Sequence, residues 1–403
     1  MNRCFTAILL AMTASGYGQS LQPAPKLVVN ITIDQLRTDY IEAFSPLYGQ
    51  NGFKKLLSEG RVYEAASYDF APVDRASAVA SVSTGTTPYY NNIVGTQWLD
   101  RSSLRPVFCV DDPKYSTSPG RLSTSTIGDE LKVATNGSSL VYALAPARDA
   151  AVLSAGHAAD GAVWIDDKKG VLTTTDYYPA KVRKWLEAYN AVYSQRATDD
   201  RTKNLAVAHA AEACVTENAL GRDAYTDYLA VTLSAKGRNA TNWQTDMEGV
   251  YTKLDALLAS LIGGIEKQVG KQNVLFMVTS TGYTDEENVD YSKYRIPTGT
   301  FYINRTANLL NIYLGAVYGQ GKYVETCFHN EIYLNHKLIE QKRLSLSEVL
   351  GRSQEFLIQN SGVRDVYTTD RLLSGNADVR KLRNGHHPAV SGDIIVEVAS
   401  GWQ

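Results

Sequence analysis

The sequence predicts an α/β fold, a three-layer sandwich with a mainly parallel sheet and helices on both faces. Short apolar runs recur along it: Leu27 to Ile33, Leu140 to Leu144, Tyr228 to Leu233, Val274 to Val278 and Ile394 to Val398. Each is mostly β-branched or aliphatic and gives way to a polar or Gly-containing turn, the signature of a strand. Continuous rather than alternating apolarity marks strands buried on both faces. Helical patterns lie between the runs, and strands alternating with helices build a parallel sheet covered on both sides.

In chain order, Met1-Asn-Arg3, the apolar stretch Phe5 to Met12 and the small residues up to Gly18 read as a secretory signal peptide, residues 1–19. That apolar stretch is too short for a bilayer-spanning helix, and no other stretch approaches transmembrane length. Lys26-Leu-Val-Val-Asn-Ile-Thr-Ile-Asp34 is an apolar run ending in a carboxylate, as in a buried strand that delivers an acid to a pocket. Phe53 to Gly60 is a helix stopped by glycine. Pro72 to Pro88 has the form of a loop, a short small-residue helix and a turn. Val250, Leu254, Leu257, Leu261, Ile265 and Val269 form one helical stripe that runs into Gly270, a suitable stop.

From about 286 to 373 the texture changes to scattered tyrosines and short apolar runs. This region is expected to be an inserted cap within a single domain spanning 20–403, with the chain rejoining the main sheet near Ser391. There are no internal repeats, so solenoid folds fall away.

With 44% hydrophobic and 20% charged residues over 403 positions, the chain has ample length to bury a core. A formal charge of −2, from 40 basic and 42 acidic residues, provides no global field for nucleic acid or an anionic membrane. The 25 tyrosines against nine phenylalanines fit half-exposed packing, and Tyr283 to Tyr323 is the best candidate contact surface. Cys109, Cys214 and Cys327 form neither a disulfide framework nor a Cys-x-x-Cys site. One disulfide with a leftover thiol is open in an oxidising compartment, but small buried apolar side chains are expected for at least two of them.

The strand ending at Asp34, the Pro72–Pro88 segment, Ile93-Val-Gly-Thr-Gln-Trp98, Ser125-Thr-Ile-Gly-Asp-Glu-Leu131, Asp227 to Ser234 and Ser391-Gly-Asp-Ile-Ile-Val396 occur in an order and spacing that resembles the alkaline phosphatase superfamily. The likeness is to its phosphodiesterase-like bacterial branch, and it covers Pro25 to Trp402. It implies an alkaline-phosphatase-like sandwich. It also implies hydrolysis of phosphate esters by two zinc ions about 4 Å apart, held by Asp and His side chains.

By that resemblance Asp34 matches the first metal ligand, and Arg75 stands where the Thr or Ser nucleophile would be. An Asp-x-x-x-His ligand segment should follow Ser234, where Ala235-Lys-Gly237 begins the stretch to Thr241. An Asp-His pair should follow Val278, where Thr281 and Gly282 occupy those positions. The last His ligand would lie beyond Gln403. Thr96 and Gln97 replace a phosphate-contacting Asn, and Ala147-Arg148-Asp149 replaces a Lys-x-Arg pair. The expectation is therefore a catalytically inactive member without a cofactor, its pocket vestigial at Asp34, Arg75, Thr96, Gln97, Thr281 and Gly282.

Asp34 is then either a relic ligand or a structural carboxylate. Arg75 either grips an anion at a helix start or salt-bridges Asp34, and the cost of a lone buried acid favours the salt bridge. Ser77 or Asp74 as a substitute nucleophile would need an activating base, and no histidine lies near in sequence. His157, His329, His336, His386 and His387 are assigned to packing or surface, since their spacings are not those of metal ligands.

The expected function is binding or structural: a protein exported to the periplasm or surface of a bacterium, partnered by an envelope protein. The alternative is a metal-dependent phosphomonoesterase or phosphodiesterase with an altered site, and that reading alone requires zinc.

Overall fold

The computed structural model describes residues 24–193, 196–237, 242–284 and 291–402; the expected leader lies outside them. The strands are β1 (Leu27–Asp34), β2 (Gln97–Asp100), β3 (Arg105–Phe108), β4 (Asp111–Asp112), β5 (Ser116–Thr117), β6 (Val141–Ala145), β7 (Gly161–Ile165), β8 (Leu172–Thr173), β9 (Asp227–Ser234), β10 (Val274–Ser280), β11 (Val324–Phe328), β12 (Glu331–Leu334), β13 (Val363–Thr368) and β14 (Ile394–Val398). The main sheet has the order β10-β1-β9-β6-β7-β8. Its pairs are parallel except for β7 with β8, so the mainly parallel α/β sandwich is observed.

The two faces of β1 differ in chemistry. Leu27, Val29, Ile31 and Ile33 are fully buried on one side. Each such side chain contributes roughly 1.5–3 kcal/mol by leaving water. On the other side Asn30 and Thr32 are also buried, and the Asn30 amide donates to the Tyr228 hydroxyl at 2.9 Å.

The helices Arg75–Thr84 and Arg148–Ala155 pack together, as do Asp200–Glu217 and Trp243–Val269. One member of each pair lies on β6 and β9, and both faces of those strands are buried, so the pairs form opposite layers. The stripe of the long helix is rotated slightly from the expected one: Leu258 and Ile262 are buried, while Val250, Leu257 and Val269 are partly so. Its buried face also carries Asp255, whose carboxylate accepts from the backbone N–H of Gly49 at 2.8 Å and of Phe53 at 2.7 Å. It thereby caps the helix Phe53–Glu59 from a distant part of the chain.

One expectation is corrected. Ile394–Val398 does not join the main sheet; as β14 it lies in an antiparallel sheet of order β11-β12-β14-β13. This sheet and the helices Ile303–Tyr318 and Leu346–Leu357 enclose a second core that runs from Ala307 to Val396. The cap therefore neither ends at 373 nor returns to the main sheet near Ser391. A short aliphatic run reports burial but not which strands it pairs with, and here the neighbours are β12 and β13.

Arg101, in the turn between β2 and β3, ties that hairpin to the antiparallel sheet. Its guanidinium donates to both Asp393 oxygens, at 3.2 and 3.3 Å, and to the Ser391 carbonyl. His336 Nε2 meets the same carboxylate at 2.8 Å. Cys109 and Cys214 are buried, Cys327 is half-buried and all three are free thiols. Among the described residues no helix is long and apolar enough to cross a membrane.

Candidate functional site

The site lies where β1, β9 and β10 end side by side, with Asp34 opposite Ser234 and Ile33 opposite Ser280. Carboxyl ends of parallel strands are where open α/β sheets place their chemistry, since loops there diverge and expose side chains. Asp34 is 5% exposed. Its Oδ1 accepts from the Thr281 hydroxyl at 3.0 Å, and the same hydroxyl accepts from the Gln35 N–H at 2.8 Å. The Tyr283 hydroxyl is a further hydrogen-bond partner. Burial raises the Asp34 carboxyl above the ordinary carboxylate range, with Arg75, Thr281 and Tyr283 opposing.

Arg75 occupies the first turn of the helix Arg75–Thr84 and turns onto Asp149. Its Nε donates to Oδ2 at 2.9 Å and its Nη2 to Oδ1 at 3.1 Å, a two-pronged pair on a carboxylate that is fully buried. Asp34 stands farther off, with 3.8 Å between Nη1 and Oδ2. The expected Arg75–Asp34 contact is thus present, but as the longer of two. Burial pulls the guanidinium down, and Asp149 followed by Asp34 more than offsets it, so the charge is held above its ordinary value.

Asp74 caps this helix. Its Oδ1 accepts from the Ser77 N–H at 2.9 Å and hydroxyl at 2.8 Å, and its Oδ2 from the Thr96 N–H at 2.6 Å and hydroxyl at 2.7 Å. Ser77 is fully buried and engaged in this cap, which gives a plain structural role to both residues considered as substitute nucleophiles.

Thr281 is fully buried, and Gly282 follows it with φ of +72°. A Cβ at Gly282 would lie 2.6 Å from the Tyr68 ring, so both backbone conformation and space demand glycine. The Tyr68 hydroxyl donates to the Ser280 carbonyl at 2.7 Å, and burial with the nearby Asp34 charge pushes its pKa up to about 12.

Of the residues expected in the pocket, Asp34, Arg75, Thr281 and Gly282 come together. Thr96 joins through Asp74, and Gln97 stands exposed at the start of β2. Sequence reasoning missed Asp149, Tyr283 and Tyr68. Asp149 carried one available signal: it falls at the position where the resemblance puts an arginine, while an arginine appears at the nucleophile position. By that resemblance a cation stands where a neutral hydroxyl is expected, and an anion where an arginine is expected. His157 holds Asp129 through Nδ1 at 3.1 Å and the Leu122 carbonyl through Nε2 at 3.1 Å, a packing role as assigned.

The donor set matches a two-zinc centre poorly. The Asp34 carboxylate faces a guanidinium, and Thr281 and Gly282 offer neither carboxylate nor imidazole. Among the described residues no three His, Cys, Asp or Glu side chains converge in a geometry that could hold a metal.

A mainly parallel sheet with Asp34 at the end of β1 and the helix start at Arg75 beside it fits an alkaline-phosphatase-like scaffold. The chain belongs to the type I phosphodiesterase / nucleotide pyrophosphatase family, which matches residues 28–403. It is 26% identical over 451 residues to alkaline phosphatase PafA of Elizabethkingia meningoseptica, covering 94% of this chain and 82% of that protein. To alkaline phosphatase PhoV of Synechococcus elongatus it is 26% identical over 447 residues, covering 94% of this chain and 80% of that one. The crystal structure of wild-type PafA superposes with a TM-score of 0.82 at 25% identity, over 94% of this chain and 86% of that one.

Proposed function

We propose that this chain is a non-hydrolytic member of its family, without zinc or another cofactor. Its role is that of a binding or structural subunit in an assembly of the bacterial cell envelope or surface. The observation that carries this reading is the Arg75–Asp149 pair. Nucleophilic attack on phosphorus needs an activated oxygen. The family's position for that oxygen holds a cation whose charge is already spent on two carboxylates. Export to the periplasm or surface rests on residues 1–19 and on the bacterial relatives, and a protein partner rather than nucleic acid on the near-neutral charge.

The second reading, a metal-dependent phosphomonoesterase or phosphodiesterase with an altered site, draws support from relatives named alkaline phosphatases. Protein produced with added zinc separates the two by metal content and by turnover of an aryl phosphate. The pseudoenzyme holds less than about a tenth of an equivalent of zinc and shows no turnover that chelator abolishes. Stoichiometric zinc with chelator-sensitive hydrolysis establishes the other reading.

A further inference from the structure

Strand β10 is the outer strand of the main sheet, and among the described residues its far side has no strand partner. Lys26 N–H bonds to the Asn273 carbonyl and Thr281 N–H to the Ile33 carbonyl, so residues 273, 275, 277, 279 and 281 turn their peptide groups toward β1. By the alternation of an extended chain, Val274, Phe276, Val278 and Ser280 direct theirs outward. On one face of the same strand, Leu275 is 47% and Met277 44% exposed. A long edge with exposed apolar side chains is a feature that folded proteins ordinarily cover.

A segment of this chain is pinned alongside that edge. Glu59, at the end of the helix Phe53–Glu59, pairs with Lys271 at 2.9 Å. Downstream, the Tyr68 hydroxyl takes the outward Ser280 carbonyl at 2.7 Å. The same number of residues separates Glu59 from Tyr68 as Lys271 from Ser280, and both pairs run in the same direction. Residues 60–67 between the pins are all exposed and in no strand, and they include Val62 and Tyr63, at 49% and 70% exposure.

We propose that residues 60–67 form a strap that closes on the outer edge of β10 as a parallel seventh strand, in the register Val62–Val274, Glu64–Phe276 and Ala66–Val278. Closure gives the outward N–H and C=O groups of Phe276 and Val278 partners in the strap. It sets Tyr63 beside Leu275 and Ala65 beside Met277, and cross-strand pairs of this kind stabilise a sheet edge. The strap ends at Tyr68, whose ring rests on Gly282 next to the Thr281–Asp34 bond. The closed strap therefore also fixes one wall of the pocket. This holds whether or not the pocket is catalytic.

Hydrogen exchange on the unmodified chain reads the closure directly. The amides of Phe276 and Val278 are expected to exchange at least about tenfold more slowly than unprotected amides; exchange at the unprotected rate overturns the proposal. Register is read by cysteine pairs in a Cys327→Ser background, which removes the partly exposed native thiol. Under mild oxidation Ala65→Cys with Met277→Cys should cross-link at least about tenfold faster than Glu64→Cys with Met277→Cys, because a one-residue slip turns a side chain to the opposite face. Equal rates, or a faster second pair, overturn it.

Discussion

Arg75 and Asp149, which lie 74 positions apart in sequence, are joined by two parallel N–H···O bonds, with the carboxylate fully buried. Such a pair is costly to break from one side, because the surviving partner stays buried as an uncompensated charge. Arg75→Met and Asp149→Leu should each destabilise the protein by about 3–5 kcal/mol in urea unfolding, and the double variant should recover most of that loss. Full additivity of the two losses would show that the pair is not coupled.

By the resemblance described above, Arg75→Thr places a nucleophile-type hydroxyl at position 75 while Thr281 and Gly282 still offer no metal ligand. Aryl phosphate turnover, measured with and without zinc, should stay at the buffer rate. A zinc-dependent gain would support the metal-dependent hydrolase reading instead.

The Thr281 hydroxyl serves two partners at once, donating to Asp34 and accepting from Gln35 N–H. Thr281→Val keeps the shape and removes both bonds, leaving a buried donor and a buried acceptor short of a partner. The expected loss is about 1–3 kcal/mol. Thr281→Ser should retain most of the stability, which separates the hydroxyl from the methyl group.

Gly282→Ala combines a positive φ with a Cβ inside contact distance of the Tyr68 ring. It should cost about 1–3 kcal/mol. Pairing it with Tyr68→Ala should return the steric part and leave the backbone part, a partition read by comparing the single and double variants.

Stability should also depend on pH through His157 and Asp129. The hydrogen bond to Asp129 holds the imidazole above its ordinary value of 6.5, against burial. Burial would raise the Asp129 carboxyl, but hydrogen bonds from His157, Thr126 and Ala158 outweigh it and hold the group below 3.8. The His157 contribution is fully present below 6.5 and is lost as pH rises through its raised folded value. The Asp129 contribution is present above 3.8 and is lost as pH falls through its depressed folded value. Denaturant midpoints between these limits should exceed those on either side, and His157→Gln should flatten the alkaline decline.

How far the fold was legible follows from which contacts are local. Leu27 to Ile33 announced a doubly buried strand because its apolarity is continuous, and the strand ends at Asp34 as expected. Ile394–Val398 announced a strand equally well but not its sheet, since pairing with β12 and β13 is settled by distant segments. At the site, the change at Arg75 was readable by itself. Its nearer counter-ion was not: the sequence pointed to Asp34, and Asp149, 74 positions away, reaches the guanidinium only because their two helices pack together. Tyr68 and Tyr283 gave no signal among 25 tyrosines.

Asp74 accepts hydrogen bonds at both carboxylate oxygens, two from Ser77 and two from Thr96. Helix starts in general accept Ser, Thr, Asn or Asp almost interchangeably. Here that latitude is gone. Serine and threonine carry one oxygen where two are used, and asparagine would turn an NH₂ group toward donors already pointing inward. Glutamate would overshoot by a methylene. The residue that opens the helix at the mouth of this pocket is thus held to aspartate by the four donors around it, whatever chemistry its neighbour Arg75 serves.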